Sequence, residues 1–150
     1  MEGINAELVT EYAKDKVWEN NDEAFKNQAY IFGKQSYRIS RCDGKVDVII
    51  TDSPLPLSII YNKNRLSETF NQLVMEVFNN YNNINFFIRR VKKYNPVGRF
   101  QTEKESDALA DEIQQLLDNR NIDYTIYNGD IDGYNQILFE IVKKIGDKDA

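Results

Sequence analysis

Apolar side chains follow two patterns along this chain, short continuous runs and sets spaced with helical periodicity. Four runs have the length of buried strands: 6–10, 46–51, 84–88 and 123–127. Between and after these runs, apolar positions recur three or four residues apart, most clearly from Leu66 to Tyr81. Unbroken apolar runs separated by helical patterns are typical of parallel strands covered on both sides. The pattern therefore predicts an α/β fold, with a mainly parallel sheet and helices on both of its faces.

The helical patterns have recognisable starts and faces. Four helices are predicted: 22–41, 66–81, 102–117 and 137–145. In the first helix, Phe25, Ala29 and Phe32 share the face that we expect to be buried. Thr102 and Glu105 have the spacing of a capping box, which predicts the start of the third helix.

Composition narrows the class of protein. The chain has 150 residues, 41% of them hydrophobic, which fits one domain over residues 1–150 with a buried core. Its net charge of −5 does not suit a general binder of nucleic acid or anionic membrane. The single Cys42 rules out an internal disulfide, and the lack of His excludes His-based zinc sites and Ser-His-Asp triads. A lone Cys suits a reducing, cytosolic setting, and no apolar run is long enough to span a bilayer, so the sequence predicts a cytoplasmic protein.

Two acidic side chains follow predicted strands, where ligands gather in open α/β sheets. Asp52 comes directly after the run 46–51, and a carboxylate there can orient Mg²⁺, as in the second Walker motif. Alternatively, Asp52 caps the segment after Pro54. Glu11 follows the first run and can take a proton from an attacking hydroxyl group. The alternative for Glu11 is an acid at a helix start that complements the helix dipole.

A basic segment at 89–101 follows the third predicted strand. Five cations fall within eleven residues that contain no acid: Arg89, Arg90, Lys92, Lys93 and Arg99. Asn95-Pro96 and Gly98 interrupt any helix there, so we expect a lid-like loop. Cations on such a loop can neutralise the charge that develops in phosphoryl transfer. An ordinary solvated loop and a docking patch for an acidic partner are the alternatives.

Several short motifs occur in the order in which a known family has them. They are Thr10-Glu11-Tyr12-Ala13-Lys14-Asp15, Asn27-Gln28, Thr51-Asp52-Ser53-Pro54, Arg89-Arg90 and Tyr94-Asn95-Pro96-Val97-Gly98-Arg99-Phe100-Gln101-Thr102. In this order the chain resembles P-loop kinases of the type found in phage-encoded ATP-binding proteins, and it is similar to the nicotinamide-riboside kinase domain. The resemblance extends over about residues 4–145, and its motifs are short.

The resemblance implies a mainly parallel three-layer sheet of the P-loop nucleotide-kinase type whose first, central strand is missing. In that family a strand, a phosphate loop and a helix precede the segment that starts here. The G-x-x-x-x-G-K-[ST] pattern occurs nowhere in this sequence. We therefore expect an N-terminally truncated kinase-like domain that is inactive alone. The strands flanking the gap would pair directly, accept a strand from another chain, or leave the domain marginally folded.

The resemblance also implies roles for the candidate residues. Asp52, with Ser53 after it, would contribute to Mg²⁺ binding, and Glu11 would be the catalytic base. The lid cations would act on ATP: Arg89, Arg90 and Arg99 in catalysis, and Lys92 and Lys93 in cofactor binding. The phosphate acceptor would be a nucleoside, a nucleotide or a related hydroxyl compound. The alternative is a non-catalytic phage-type binding or inhibitor protein, which would use exposed strand edges to contact a protein partner or a second copy.

Overall fold

The computed structural model describes residues 3–12, 26–91 and 103–149, with the side chains of 147–149 left aside. This part of the chain has an α/β architecture with four short strands and five helices. The elements, in chain order, are β1 Ala6–Val9, α1 Gln28–Ser40, β2 Val48–Thr51, α2 Leu57–Asn62, α3 Glu68–Asn79, β3 Phe86–Arg89, α4 Glu103–Asn119, β4 Thr125–Asn128 and α5 Ile131–Asp149. They divide between two units, Met1–Asn82 and Asn83–Ala150.

All strand pairing in the described residues is parallel, as the apolar runs predict. In the first unit β1 pairs with β2, in a register that places Val9 opposite Thr51. In the second unit β3 pairs with β4, and Arg89 lies opposite Asn128. The α/β class and the parallel pairing are therefore confirmed. The single three-layer sheet is not confirmed, because the described strands form two separate two-stranded sheets and β2 does not pair with β3.

The core of the first unit forms where α1 and α3 bury apolar side chains. Phe32 of α1 and Phe70 of α3 meet edge to face, with ring centroids 5.8 Å apart. Val74, on the same face of α3, is completely buried. Two further apolar residues of the first unit are buried: Val9 at the end of β1, and Leu55 in the segment before α2. The carboxyl end of β1, where the predicted site begins, is therefore buried at Val9.

The buried face of α1 differs from the predicted one. The helix begins at Gln28, and the side chain of Asn27 caps it by accepting a 3.1 Å hydrogen bond from the backbone N–H of Tyr30. Ala29, expected in the core, is exposed, and Phe25 lies outside the described residues. The buried positions are Gln28, Ile31, Phe32, Gln35 and Ile39. Phe32 is buried as predicted, but Ala29 was wrongly assigned, because the prediction counted only apolar residues whereas two glutamines lie on the buried face.

The helix predicted over 66–81 is shorter in the structure. α3 covers Glu68–Asn79, and Leu66 lies in the connection that precedes it. A separate short helix, α2, was not predicted; it ends at Asn62 and is followed by the C-cap residue Lys63, whose left-handed backbone has a φ of 48°. Leu73 is also misassigned, because 47% of it is exposed although its neighbour Val74 is buried. The apolar pattern identified the helix but assigned too many residues to its buried face.

The second unit joins the β3–β4 sheet to α5. The phenol of Tyr127 donates a 2.9 Å hydrogen bond to Glu140 of α5. α5 begins directly after β4, where Asp130 Oδ1 accepts a 2.8 Å hydrogen bond from the backbone N–H of Gly133. Glycine is needed at position 133, because a Cβ atom there would overlap the carbonyl oxygen of Asn128. No helix in the described ranges has both the length and the hydropathy to cross a bilayer.

Candidate functional site

The two acids singled out in the sequence follow neighbouring strands in the first unit. β1 ends at Val9 and β2 ends at Thr51, and these two residues are paired in register. Because the strands are parallel, the segments that leave them start at the same edge of the sheet. Glu11 and Asp52 therefore both belong to the carboxyl edge of β1–β2. This is the edge at which open α/β sheets place ligands.

The segment that carries Glu11 is fixed by one side chain of α1. The buried carboxamide of Gln35 accepts a 2.7 Å hydrogen bond from the backbone N–H of Tyr12. It also donates a 3.2 Å hydrogen bond to the backbone carbonyl of Thr10. Gln35 thus binds the backbone on both sides of Glu11. Because both bonds go to the main chain, Gln35 is a positioning residue for the Glu11 carboxylate and not a candidate for chemistry.

Further contacts with α1 hold the same segment. Arg38 donates to the carbonyl oxygen of Thr10 at 3.3 Å, and its guanidinium carbon lies 5.0 Å from the centre of the Tyr12 ring. The hydroxyl groups of Tyr12 and Tyr30 are 2.7 Å apart and share a hydrogen bond. Glu11 is therefore carried on a well-anchored backbone, which is the condition for a carboxylate to act with defined geometry.

Asp52 does not cap the helix that follows it. α2 has Pro56, and not Asp52, as its N-cap residue, and the Pro56 side chain forms no capping hydrogen bond. The structure therefore gives no support to the capping alternative for Asp52, which is exposed. Ser53 is buried, and its backbone N–H donates a 3.0 Å hydrogen bond to Thr51 Oγ1. This contact turns the chain at the end of β2.

The described residues do not fit a Mg²⁺ site that is complete by itself. No group of three or more Asp, Glu, His or Cys side chains comes together within the described ranges. Mg²⁺ requires six oxygen ligands and is usually held by one or two carboxylates together with substrate phosphates. Asp52 supplies an exposed carboxylate, while Ser53 is buried. Within the described ranges, the edge therefore offers the exposed carboxylate of Asp52 but no group of carboxylates that could hold the ion.

The predicted lid residues fall into two groups. Arg89 ends β3 and is exposed, and its carbonyl oxygen accepts a 2.8 Å hydrogen bond from the backbone N–H of Gly129. Arg90 forms ion pairs with Asp107 and Glu103 of α4, so part of its charge is neutralised within the second unit. The remaining lid cations, Lys92, Lys93 and Arg99, lie outside the described residues, as does most of the segment 89–101.

The site residues brought together in the first unit are thus Glu11 and Asp52 with Ser53, whereas Arg89 and Arg90 belong to the second unit. The sequence reasoning missed Gln35, which positions the Glu11 segment. A signal was present: Gln28 and Gln35 are seven residues apart, two helical turns, on the face that also carries Phe32. A polar residue repeated on the apolar face of a helix indicates a buried hydrogen-bonding role.

None of the protein-family descriptions, curated proteins or solved structures with which the chain was compared matches it. Two observations on this chain therefore bear on its function. One is the order of the short motifs in the sequence, and the other is the placement of Glu11 and Asp52 at one edge of a parallel sheet.

Proposed function

We propose that this chain is a P-loop-kinase-like α/β domain for phosphoryl transfer from ATP to a nucleoside, a nucleotide or a related hydroxyl compound. The observation that carries the proposal is the in-register parallel pairing of β1 and β2, which starts the Glu11 and Asp52 segments at the same edge. A base and a metal-binding carboxylate are needed side by side for such a transfer. The phosphate loop is not among these 150 residues. The chain alone is therefore inactive.

The open edges of the sheets support the same proposal. In the described part of the chain, β2 has a backbone hydrogen-bonding partner on one side only, which is β1. An unpaired edge strand with apolar side chains is a place where a further strand adds. A strand that carries a phosphate-binding loop, added beside β2, would place that loop at the edge that holds Asp52. This arrangement would supply the phosphate ligands that Mg²⁺ lacks here.

Calorimetric titration with Mg-ATP tests the proposal. The 150-residue chain should give no saturable heat. The same chain extended by the coding sequence immediately upstream should bind Mg-ATP, and Asp52→Asn in the extended chain should weaken that binding about tenfold or more. Glu11→Gln should leave ATP binding intact and abolish transfer to the acceptor. The proposal would be ruled out if the extended chain gave no heat, or if Asp52→Asn left the affinity of the extended chain for Mg-ATP unchanged.

A second candidate function is a non-catalytic binding protein, and exposed apolar side chains favour it. Leu8 of β1 and Ile50 of β2 lie opposite each other in the register and are 66% and 40% exposed. An exposed apolar pair on a sheet face is typical of a contact surface. This candidate predicts a partner that co-purifies with the wild-type chain and with Asp52→Asn but not with Leu8→Glu. A chain that purifies as a partner-free monomer from its native host would exclude it.

A further inference from the structure

Helix α5 carries apolar side chains on a side that its own sheet does not cover. Together they form the α5 stripe: Ile131, Tyr134, Leu138, Val142 and Ile145. At about 100° per residue, these positions fall within an arc of about 80° on the helix surface. Ile131 and Tyr134 are 75% and 63% exposed, Val142 is 39% exposed, and the other two are half-buried. A surface helix normally presents polar side chains on its outer side, so the α5 stripe indicates a contact surface.

Two contacts show which side of α5 faces the β3–β4 sheet. Glu140 accepts the hydrogen bond from Tyr127 of β4, and a Cβ atom on the buried Gly133 would overlap the carbonyl oxygen of Asn128. Gly133 and Glu140 are about two helical turns apart and therefore lie on one side of the helix. The centre of the α5 stripe lies about 150° around the helix from that side. The stripe therefore faces away from the sheet of its own unit.

The spacing of the α5 stripe matches a second copy of the same helix. Successive stripe residues are separated by three, four, four and three positions, so the spacing is the same from either end. When two copies of α5 pack antiparallel about Leu138, Ile131 of each copy lies level with Ile145 of the other. Tyr134 then lies level with Val142. Such a surface is complementary to itself, which is the requirement for a dimer with twofold symmetry.

Charged side chains beside the α5 stripe favour the antiparallel orientation. Asp132 near the start of the helix and Lys143 towards its end are both exposed. They are about three helical turns apart, so they lie on the same flank of the stripe. In the antiparallel arrangement, Asp132 of each copy lies within one residue of the level of Lys143 of the other. A parallel arrangement would instead bring like charges together. Exposed ion pairs add little affinity, but they select one orientation over another.

We propose that α5 is the contact surface of a homodimer, in which the α5 stripes of two copies pack antiparallel about a twofold axis at Leu138. The β3–β4 sheets of the two copies lie on the outer sides of the helix pair, because each stripe faces away from its own sheet. One helix face is smaller than the roughly 800 Å² per partner of a standard interface, so the dimer should dissociate on dilution. The dimer requires neither Glu11, Asp52 nor a nucleotide, and its failure would leave the proposed phosphotransferase function untouched.

Analytical ultracentrifugation of the 150-residue chain at a series of concentrations tests the dimer. The mass should rise with concentration from that of one chain towards twice that value. Tyr134→Glu and Val142→Glu each put a charge into the apolar contact, and each should weaken dimerisation about tenfold or more. Leu73→Glu, at an exposed apolar position of α3, is the matched control and should leave the dissociation constant of the dimer unchanged.

Intermolecular nuclear Overhauser effects in a mixture of isotope-labelled and unlabelled chains give the orientation of the two helices. The Tyr134 ring of one copy should contact the Val142 methyl groups of the other. In the antiparallel arrangement the two Tyr134 rings lie on opposite sides of the twofold axis and should give no contact with each other.

Three results would overturn the proposal. They are a chain that stays monomeric at every concentration, a dimer that neither Tyr134→Glu nor Val142→Glu weakens, and a dimer in which the two Tyr134 rings contact each other. Weakening by Leu73→Glu as large as that by the α5 variants would also contradict a contact through α5. Thermal unfolding shows whether each variant folds. Because Tyr134 and Val142 are both exposed, either substitution keeps the test decisive if the other does not fold.

Discussion

The buried carboxamide oxygen of Gln35 accepts a 2.7 Å hydrogen bond from the backbone N–H of Tyr12, across 23 positions of sequence. The bond ties the middle of α1 to the segment that leaves β1. Because the same carboxamide donates to the carbonyl oxygen of Thr10, the backbone around Glu11 is held on both sides. The placement of the candidate base thus depends on a helix that contributes no group to the chemistry.

Replacing Gln35 should destabilise the first unit. Gln35→Leu leaves the backbone N–H of Tyr12 buried without its partner, which should lower the free energy of unfolding by about 1–3 kcal/mol. Urea unfolding measures the change. Gln72→Leu, at an exposed position on α3, is the matched control and should change stability by less than about 0.5 kcal/mol. Equal effects of the two substitutions would contradict the role assigned to Gln35.

The core between α1 and α3 predicts a contrast between adjacent residues. Val74 is completely buried, so Val74→Ala should cost about 2–3 kcal/mol through lost transfer free energy and the cavity left behind. Leu73 is 47% exposed, so Leu73→Ala should cost roughly 1 kcal/mol or less although it removes a larger group. Urea unfolding of the two variants gives the comparison. The reverse order of the two costs would show that the buried face of α3 is wrongly assigned.

Replacing each of two glycines of α5 by alanine should change the stability of the second unit in opposite directions. At Gly133 an added Cβ would overlap the Asn128 carbonyl oxygen, so Gly133→Ala should destabilise the second unit by about 1–3 kcal/mol. At Gly146 an added Cβ meets no atom within 4 Å, and Gly146→Ala should stabilise the helix by about 0.5–1 kcal/mol. Thermal and urea unfolding measure both changes. Stabilisation by Gly133→Ala would rule out the close approach at the start of α5.

The pair formed by Tyr127 and Glu140 predicts a pH dependence. The hydrogen bond from the phenol to Glu140, with some desolvation, raises the pKa of Tyr127 above its ordinary value of 10.0. The folded state therefore favours the neutral phenol. The resulting stabilisation is fully present below pH 10.0 and is lost as the pH rises through the pKa of the folded state.

NMR titration of ¹³C-labelled tyrosine measures this pKa directly. Glu140→Gln should lower the pKa of Tyr127 and make stability fall less steeply above pH 10.0. Glu112→Gln, at an exposed position of α4, should leave the pKa of Tyr127 where it is. A pKa that does not move in Glu140→Gln would show that the hydrogen bond is not its cause.

Much of the fold was predictable because the strands have strong local signals. The apolar runs identified all four strands of the described chain to within two residues of their ends, and the parallel pairing followed from their alternation with helices. The helix α2 was missed because its six residues, which begin soon after Pro54 and Pro56, are too few to show periodicity. The partition into two sheets was not predictable, since hydropathy identifies strands and not their neighbours.

The candidate site was predictable only in its acids. Glu11 and Asp52 stand out because each follows an apolar run, and the register of β1 and β2 starts their segments at one edge. Gln35 was missed because a carboxamide on an apolar helix face adds nothing to a hydropathy pattern. The ion pairs of Arg90 were missed for another reason: the segment 89–99 contains no acid, and its partners Glu103 and Asp107 lie on the next helix.

The account is tested most directly by the register of β1 on β2, measured as cross-strand nuclear Overhauser effects in the 150-residue chain. We predict contacts between the backbone protons of Val9 and Thr51, with Thr10 next to Asp52 beyond them. Contacts that pair Val9 with Ile49 would contradict the account. Such a shift of two residues would move Glu11 about 7 Å away from Asp52 along the strand direction, and the two acids would no longer share one edge.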